Sequence, residues 1–458
     1  MARPFWWESH EGSVKGGAMT KWLKHPARLV PLVFLGVILA GTAALMLPIA
    51  RAGEGGAPFL TALFVATSAV AVTGLSTVDT ATYWTGFGQG VIFVLFHIGG
   101  FGIVSVATLL GMVVSQRLGL SRQTMVRAEA RGGIAAGDVK AVLKFVLLVA
   151  LVVESVMIVG FYFLLTDEAT TADRVWDSIF LAGASFTNAG FLSHAGSLQA
   201  EAGNPAVLGL CTLGILIGGL GLPVLHELRS SRRASWSLHL RLTLWGSLAL
   251  MLGGALAVLA FEWGNPATLG GSGLVDRIMG ALFYTANTRS GGLAAFDTGA
   301  ITEETMMVSY ALMVVGAGSA SMGGGIKVAT LMVILLAVWS ELRGDTEVQA
   351  FGRRMSPGVL REALAVTALA VGVLMVATML LRLTTDLPLD RLIFEAISAF
   401  GNVGLSMGIT PQLPPVAQGI IILLMYLGRV GIVTVATGLA LRARKADFRY
   451  PEERPIVG

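Results

Sequence analysis

Long apolar stretches alternate with shorter, more polar segments along the chain. Crossing a hydrocarbon core of about 30 Å takes about 20 residues. Eight stretches approach or exceed that length, the sixth of them interrupted: 29–49, 88–115, 141–165, 206–228, 238–261, 306–339, 359–381 and 418–441. A shorter segment follows each odd-numbered stretch, and each is too short and too polar to cross alone: 59–75, 175–191, 275–293 and 391–405. The pattern predicts eight transmembrane helices in four pairs, with a re-entrant segment inside each pair.

The four short segments share one pattern. Each has a large apolar residue ten positions before a glycine, a small residue six positions before it, and Leu or Phe directly after it. The four glycines are Gly74, Gly190, Gly292 and Gly404. A pattern recurring at this spacing indicates an internal repeat in which each copy is one supersecondary unit. The predicted unit is a helix, a short re-entrant helix, a glycine turn and a second helix.

This repeat predicts the fold class. We expect an all-α polytopic membrane protein, with eight transmembrane helices and four re-entrant helices around a pseudo-fourfold central pore. The predicted organisation is a cytoplasmic leader over 1–24, followed by units at 25–117, 139–229, 237–342 and 357–458. The third unit has an interrupted second helix.

Composition and charge agree with a membrane protein. The chain is 54% hydrophobic and only 13% charged, against about a quarter charged in soluble domains. Of its 32 Lys and Arg residues, 24 lie in the termini and in the connections between units: 1–28, 116–144, 229–241, 343–361 and 442–454. Basic loops mark the cytoplasmic side. The excess of positive charge therefore indicates cytoplasmic N and C termini, and it does not indicate nucleic-acid binding.

Four glycine turns at membrane depth predict a cation site. Non-helical backbone survives there only when it is buried in protein or lines water. Rings of backbone carbonyls can replace the hydration shell of a cation, and glycine reaches the positive φ that such turns need. The side chains in these turns carry no negative charge, which favours a dehydrated monovalent cation. The predicted ion-binding residues are Thr73, Gly74, Asn188, Ala189, Gly190, Ser290, Gly291, Gly292, Asn402, Val403 and Gly404.

Segments 67–76, 185–192, 285–293 and 398–406 resemble the four pore loops of the TrkH/TrkG/KtrB/HKT superfamily of potassium transporters. The C-terminal Tyr450-Pro451-Glu452-Glu453 is similar to the tail of the KtrB branch. The resemblance implies potassium uptake across a bacterial plasma (inner) membrane, potassium at the four filter glycines, and sodium as a candidate activator. It also implies a lipid-embedded homodimer with one pore per subunit and a cytoplasmic KtrA-type (RCK) nucleotide-binding ring. The third segment departs from the family pattern, because it ends in Ser-Gly-Gly-Leu.

A glycine-rich tract interrupts the sixth apolar stretch. Residues 316–325 are all Gly, Ala or Ser except Met322. Glycine costs about 1 kcal/mol against alanine in a helix, so the tract predicts an unwound segment. The resemblance implies a loop that blocks the pore below the filter, whereas the alternative is a packing tract between helices. The predicted gate residues are Gly316, Gly318, Ser319, Ser321, Gly323, Gly324, Gly325, Lys327 and Arg429.

Charged residues at membrane depth are functional candidates by default. Arg429 is predicted to face the cavity below the filter and repel cations, and the alternative is a structural pairing with Glu154 or with a loop carbonyl. We expect Arg289 and Glu395 to brace their loops through hydrogen bonds and charge pairing. The repeated Gly-Gly-x-Gly at 99–102 and 218–221 is interpreted as helix packing.

Two other functional classes compete with a pore. The first is an ion-coupled secondary carrier (Na+/K+ or H+/K+), but carrier repeats are usually inverted, whereas these run parallel. The second is a membrane enzyme, which would need clustered acid–base or metal-binding residues within the spans. Glu154 alone does not supply them. The sequence therefore predicts a transport pore and no enzymatic activity.

Overall fold

The computed structural model describes residues 26–116, 139–165, 170–194, 197–199, 201–230 and 236–431. Apart from a two-stranded hairpin, β1 (Gln349–Ala350) with β2 (Arg353–Arg354), and single-turn 3-10 helices, the regular structure is α-helical. The helices are α1 (Pro26–Leu45), α2 (Phe59–Ala71), α3 (Thr80–Tyr83), α4 (Gly86–Gln116), α5 (Val139–Leu164), α6 (Thr171–Thr187), α7 (Pro205–Leu220), α8 (Leu222–Ser230), α9 (Leu238–Glu262), α10 (Leu274–Thr288), α11 (Glu303–Val314), α12 (Val328–Arg343), α13 (Pro357–Thr384), α14 (Leu389–Gly401) and α15 (Pro415–Val430). The predicted all-α class is confirmed.

Some predictions fall outside these residues. The cytoplasmic leader, the basic segment 117–138 and the C-terminal tail are outside the described part of the chain. The last predicted span is described only as far as residue 431.

Three helices in the described part of the chain are long and apolar enough to cross a membrane: 144–164 of α5, α9 and α13. They carry highly exposed apolar side chains such as Phe163, Leu256 and Met375, at 73%, 67% and 69% exposure. Such surface is stable against lipid but not against water. The bent pair α7 and α8 adds a fourth span if it is counted as one. The full count of eight spans stays a prediction.

Helices α2, α6, α10 and α14 are short and end inside the protein. They have 13, 17, 15 and 13 residues. A helix of 13 residues is about 20 Å long, which is less than a hydrocarbon core. The last turns of all four helices are buried. Each is followed by an irregular turn, which we call turn 1 (72–75), turn 2 (188–191), turn 3 (290–293) and turn 4 (402–405).

Two predicted spans are broken. The interruption of the sixth stretch is confirmed, because α11 ends at Val314 and α12 begins at Val328. We call the intervening segment the 315–327 loop. The stretch 206–228 was expected to be one continuous helix, but α7 and α8 meet at a bend of 97°. Gly221 allows this bend because its φ is 90°, and a Cβ there would lie 2.5 Å from the carbonyl oxygen of Ser319 in the 315–327 loop.

Candidate functional site

The four turn glycines lie against one another in chain order. A Cβ built on Gly190 would lie 2.9 Å from the Cα of Gly292 and 3.1 Å from that of Gly74. One built on Gly292 would lie 2.9 Å from the Cα of Gly190 and 3.2 Å from that of Gly404. Real Cβ atoms essentially never lie within 3.0 Å of another heavy atom, and few lie within 3.4 Å. The turns therefore meet in a ring that only glycine permits.

The ring closes through backbone carbonyls. At each turn glycine, the side-chain position faces the carbonyl oxygen of the residue just before the next turn's glycine. The four pairs are Gly74 with Ala189, Gly190 with Gly291, Gly292 with Val403, and Gly404 with Thr73. Within the described residues, no hydrogen bond ends on the carbonyl oxygens of Thr73, Ala189 or Gly291. That of Val403 accepts one from the Gly291 N–H at 3.4 Å.

The backbone of the four turns repeats as well. The residue two positions before each glycine also has positive φ: 57° at Val72, 62° at Asn188, 96° at Ser290 and 49° at Asn402. Asparagine tolerates this conformation, but in a β-branched residue such as valine it is a strained outlier. Val72 is fully buried, which holds it there.

This register corrects one detail of the sequence interpretation. Val72, which was not predicted as a site residue, is the counterpart of Asn188, Ser290 and Asn402. Thr73 instead corresponds to Ala189, Gly291 and Val403. Counting back two positions from each glycine would have revealed Val72, although nothing in the residue type itself points to it.

Hydrogen bonds from nearby side chains hold three of the turns. The N–H of Gly74 donates to Ser68 Oγ at 3.0 Å, and that of Gly404 donates to Ser398 Oγ at 3.1 Å. In turn 3 the N–H of Leu293 donates to Asn287 Oδ1 at 2.9 Å. Ser68 and Ser398 are the small residues six positions before their glycines. The recurrent small residue therefore has a structural role in two of the four units.

Two further hydrogen bonds join neighbouring turns. Asn402 Nδ2 donates to Thr73 Oγ1 at 2.9 Å, which links turn 4 to turn 1. Ser290 Oγ donates to the carbonyl oxygen of Asn402 at 3.0 Å, which links turn 3 to turn 4. All three residues are fully buried.

The 315–327 loop lies directly against turns 3 and 4. A Cβ on Gly323 would lie 2.9 Å from Ser290 Oγ, and one on Gly324 would lie 2.7 Å from Asn402 Cβ. The N–H groups of Gly318 and Met322 donate to α7 carbonyl oxygens, those of Gly219 at 2.8 Å and Gly218 at 3.2 Å. The ends of the loop meet where the Gly316 N–H donates to the Ile326 carbonyl at 2.9 Å, and Gly325 has a φ of 69°. Ser319 lies at the bend between α7 and α8, and Ser321 is buried.

Two cationic side chains contact this loop. Lys327 Nζ donates to the carbonyl oxygens of Gly323 at 2.8 Å and Gly324 at 3.3 Å. Arg429 is 2% exposed and donates to the carbonyl oxygens of Met322 and, at 2.8 Å, Gly99.

The hydrogen-bond partners of Arg429 decide between the two structural pairings expected for it, with Glu154 or with a loop carbonyl. Pairing with Glu154 is wrong, because that carboxylate lies 3.2 Å from His97 Nε2 instead. Arg429 bonds to a loop carbonyl.

Arg429 differs in type from the residues at the equivalent positions of two other units. The helices that follow turns 1, 2 and 4 each carry a glycine that packs against the short helix of the same unit. A Cβ on that glycine would meet the carbonyl oxygen of the residue four positions before the turn glycine. The pairs are Gly99 with Val70, Gly218 with Phe186, and Gly428 with Phe400. The packing interpretation of the first two glycines is confirmed, and the third was missed. The next residue is Gly100 in α4, Gly219 in α7 and Arg429 in α15. Arg429 therefore places a buried cation where the units of α4 and α7 have no side chain.

Arg289 and Glu395 brace their turns through hydrogen bonds. Arg289 donates to the carbonyl oxygen and to Oγ of Ser247 on α9, both at 3.1 Å. Glu395 accepts from Ser406 Oγ at 2.8 Å and from Thr410 Oγ1. The expected charge pairing is wrong, because neither residue is in an ion pair with any other part of the chain that is described.

Comparison with known proteins places this architecture in a family. The family model described as "TrkH: Cation transport protein" matches residues 30–446. The chain belongs to this family of cation transport proteins, and the resemblance noted from the pore-loop segments is confirmed. Membership and the candidate spans together indicate a multi-pass membrane protein.

Individual relatives are similar over nearly their full length. The Ktr system potassium uptake protein B of Bacillus subtilis is 34% identical, over 96% of this chain and 98% of the relative. The potassium/sodium uptake protein NtpJ of Enterococcus hirae is 33% identical, over 94% of this chain and 97% of the relative. The crystal structure of the potassium transporter TrkH from Vibrio parahaemolyticus matches with a TM-score of 0.71, over 95% of this chain and 86% of that chain. At 17% identity, this last similarity shows the fold alone.

Proposed function

We propose that this protein takes up potassium ions through the ring formed by its four turns. The observation that carries the proposal is the closed cycle in which each turn glycine faces the carbonyl oxygen preceding the next one. Three of these four oxygens accept no hydrogen bond from the described residues and are free to coordinate a cation. Carbonyl rings replace the hydration shell of potassium in selective pores. The short helices end at the ring, and the negative ends of their dipoles favour a cation there.

We propose the 315–327 loop as the gate of this pore. It lies against Ser290 and Asn402 in the ring, and its backbone is tied to α7 and to Arg429. Lys327 and Arg429 add two cations beside it. At a separation of several ångströms, like charges repel a passing potassium ion strongly where water is scarce. The loop would therefore block the path both sterically and electrostatically.

The wider assembly is also proposed from the relatives. One relative is named as part of a Ktr system and another as a potassium/sodium uptake protein. The first name supports a partner subunit and the second supports an involvement of sodium. We propose, from the family resemblance, a homodimer that works with a cytoplasmic KtrA-type nucleotide-binding ring and is activated by sodium. The placement of basic segments supports cytoplasmic termini, and the bacterial relatives support a location in a bacterial inner membrane.

The direct test is potassium flux into liposomes that contain the purified protein, together with growth of a bacterium without potassium-uptake systems at low potassium. We expect flux and growth with the unmodified chain and neither with Gly292→Ser, because the added side chain would meet Gly190 and the Val403 carbonyl. Equal flux and equal ion preference in the two proteins would contradict the role of the ring.

A second measurement separates a pore from a coupled carrier. Potassium flux is measured with sodium at equal concentration on both sides and then with a sodium gradient. A pore activated by sodium responds to its presence, whereas a carrier is driven by the gradient. Potassium accumulation against its own electrochemical gradient, driven by sodium, would overturn the pore and support the carrier.

A further inference from the structure

We call the contacts between consecutive turns the four seams of the ring. The seams differ in the hydrogen bonds that join their turns. The seam between turns 4 and 1 holds the hydrogen bond from Asn402 to Thr73. The seam between turns 3 and 4 holds the one from Ser290 to Asn402, with the weaker Gly291–Val403 backbone bond beside it. Neither of the two remaining seams has a side-chain hydrogen bond between its turns among the described residues.

The seam between turns 2 and 3 has no side-chain hydrogen bond among the described residues, although the Asn188 amide could donate one. Asn188 occupies the same position in turn 2 as Asn402 in turn 4, with φ of 62° against 49°, and it is equally buried. Neither its amide nitrogen nor its amide oxygen has a hydrogen-bond partner among the described residues. The residue that corresponds to Thr73 in the next turn is Gly291, which has no side chain to accept the bond.

A cavity lies beside Asn188. It is lined by Asn188, Ile215, Gly219, Ser247, Ala286 and Arg289, among others. Arg289 Nε also has no hydrogen-bond partner in the part of the chain described. Buried polar groups without protein partners are commonly satisfied by ordered water, and a cavity with several such groups suits it. The cavity behind this seam is mostly apolar, but it is lined by these two polar side chains and can hold an ordered water between them.

The seam between turns 1 and 2 differs because the side chains beside it are apolar and packed together. Val72 and Ala189 are both fully buried in one hydrophobic cluster. The glycine backbones approach equally at the two seams: a Cβ on Gly74 would lie 2.8 Å from the Gly190 Cα, and one on Gly190 would lie 2.9 Å from the Gly292 Cα, so the side chains make the difference. Close packing resists displacement as hydrogen bonds do. Within the described residues, the seam between turns 2 and 3 combines an unbonded buried amide with an adjoining cavity.

We propose that Asn188 and Gly291 make this seam the compliant part of the ring, and that its compliance determines how strongly the pore prefers potassium to sodium. The inference rests on the proposed function. Sodium is smaller than potassium, so coordinating it requires the carbonyl oxygens to move inward. A ring in which every seam is held by hydrogen bonds or apolar packing resists that movement. A ring with one seam that lacks both admits sodium more readily. The residues of this seam are therefore specificity-determining.

The test compares the ratio of potassium to sodium flux in liposomes for matched variants. Asn402→Ala and Asn188→Ala make the same change in the same backbone conformation. Only the first breaks a hydrogen bond between turns, so we expect the ratio to fall about fivefold further in Asn402→Ala, the order that one hydrogen bond sets. Equal falls in the two variants, or a larger fall in Asn188→Ala, would overturn the proposal.

A gain-of-function variant tests the same seam in the other direction. Gly291→Ser supplies a hydroxyl at the position of Thr73 and is expected to raise the ratio about fivefold by bonding to Asn188. Its Cβ would lie 3.0 Å from Ile215 Cδ1 and 2.5 Å from Asn287 Oδ1, so Ile215→Val is added to make room on one side, and the Asn287 amide has to shift on the other. A folded, conducting double variant with an unchanged ratio would also refute the proposal.

These outcomes separate the inference from the proposed function. An unmodified chain that passes no potassium would refute the function itself. A chain that passes potassium, but whose selectivity ignores this seam, would refute only the inference. If the double variant does not fold, the two alanine variants still decide.

Discussion

Arg429 donates a hydrogen bond to the backbone carbonyl oxygen of Met322, and this contact joins the last helix to the 315–327 loop. Its second bond, to the Gly99 carbonyl, joins the same side chain to α4. One buried guanidinium thus holds the loop between two helices of different units. A bond from a charged donor contributes about 1.5–3 kcal/mol, which is enough to bias a loop between two positions.

Replacing Arg429 by Gln is expected to raise potassium flux about tenfold, because it removes both the tie to Met322 and the buried positive charge. The measurement is flux into liposomes, with thermal unfolding in detergent as a check on folding. Arg382→Gln is the matched control, since Arg382 contacts only carbonyl oxygens at the exposed end of α13. Flux that is unchanged in Arg429→Gln would contradict a gating role.

Lys327→Met tests the other cation of the loop. The ammonium donates to two carbonyl oxygens of the loop itself, so its loss is expected to loosen residues 323–324 and raise flux severalfold. Met keeps a similar length and apolar stem. Lys144→Met is the control, because Lys144 is exposed on α5. If both variants conduct like the unmodified chain, Lys327 has a packing role alone.

Gly404→Ala is expected to abolish potassium-selective flux. Its φ is 94°, and a Cβ would collide with the Thr73 carbonyl oxygen across the seam. Gly408→Ala separates this collision from backbone strain, because Gly408 has a φ of 79° but nothing within 4 Å of its Cβ position. Both variants carry a strain of about 1–2 kcal/mol. Loss of flux in both would mean that strain, and not the contact in the ring, is the cause.

The sequence could predict the four turns because glycine has a strict steric reason to recur. Gly74, Gly190, Gly292 and Gly404 all have positive φ and all lie against a neighbouring backbone. The unwound 315–327 loop was predictable for the same reason, since its glycines cannot sustain a helix.

Other features depend on contacts between units, which no local pattern records. Val72 is held in a left-handed conformation by its surroundings, against the preference of a β-branched side chain. The bend at Gly221 exists because the Ser319 backbone passes beside it, about a hundred positions later in the chain. The partner of Arg429 could not be chosen from sequence, because a carboxylate and a loop carbonyl were both available. The folded structure shows that the Glu154 carboxylate contacts His97 instead.

Gly218→Ala is expected to destabilise the protein by about 1–3 kcal/mol, because the added methyl group would meet the Phe186 carbonyl oxygen at the end of α6. Gly253→Ala on α9 has nothing within 4 Å of its Cβ position and is expected to stabilise by about 0.5–1 kcal/mol. Thermal unfolding in detergent measures both. Equal shifts in the two variants would contradict close packing at Gly218.

Arg429 makes the helices that follow turns 2 and 4 unequal. Turn 4 lies opposite turn 2 in the ring order, and the helix that follows turn 2 carries Gly219 at the register where α15 carries Arg429. In the proposed pore, an ion leaving the ring therefore meets the 315–327 loop, which covers Gly219, on the α7 side and the Arg429 guanidinium on the α15 side.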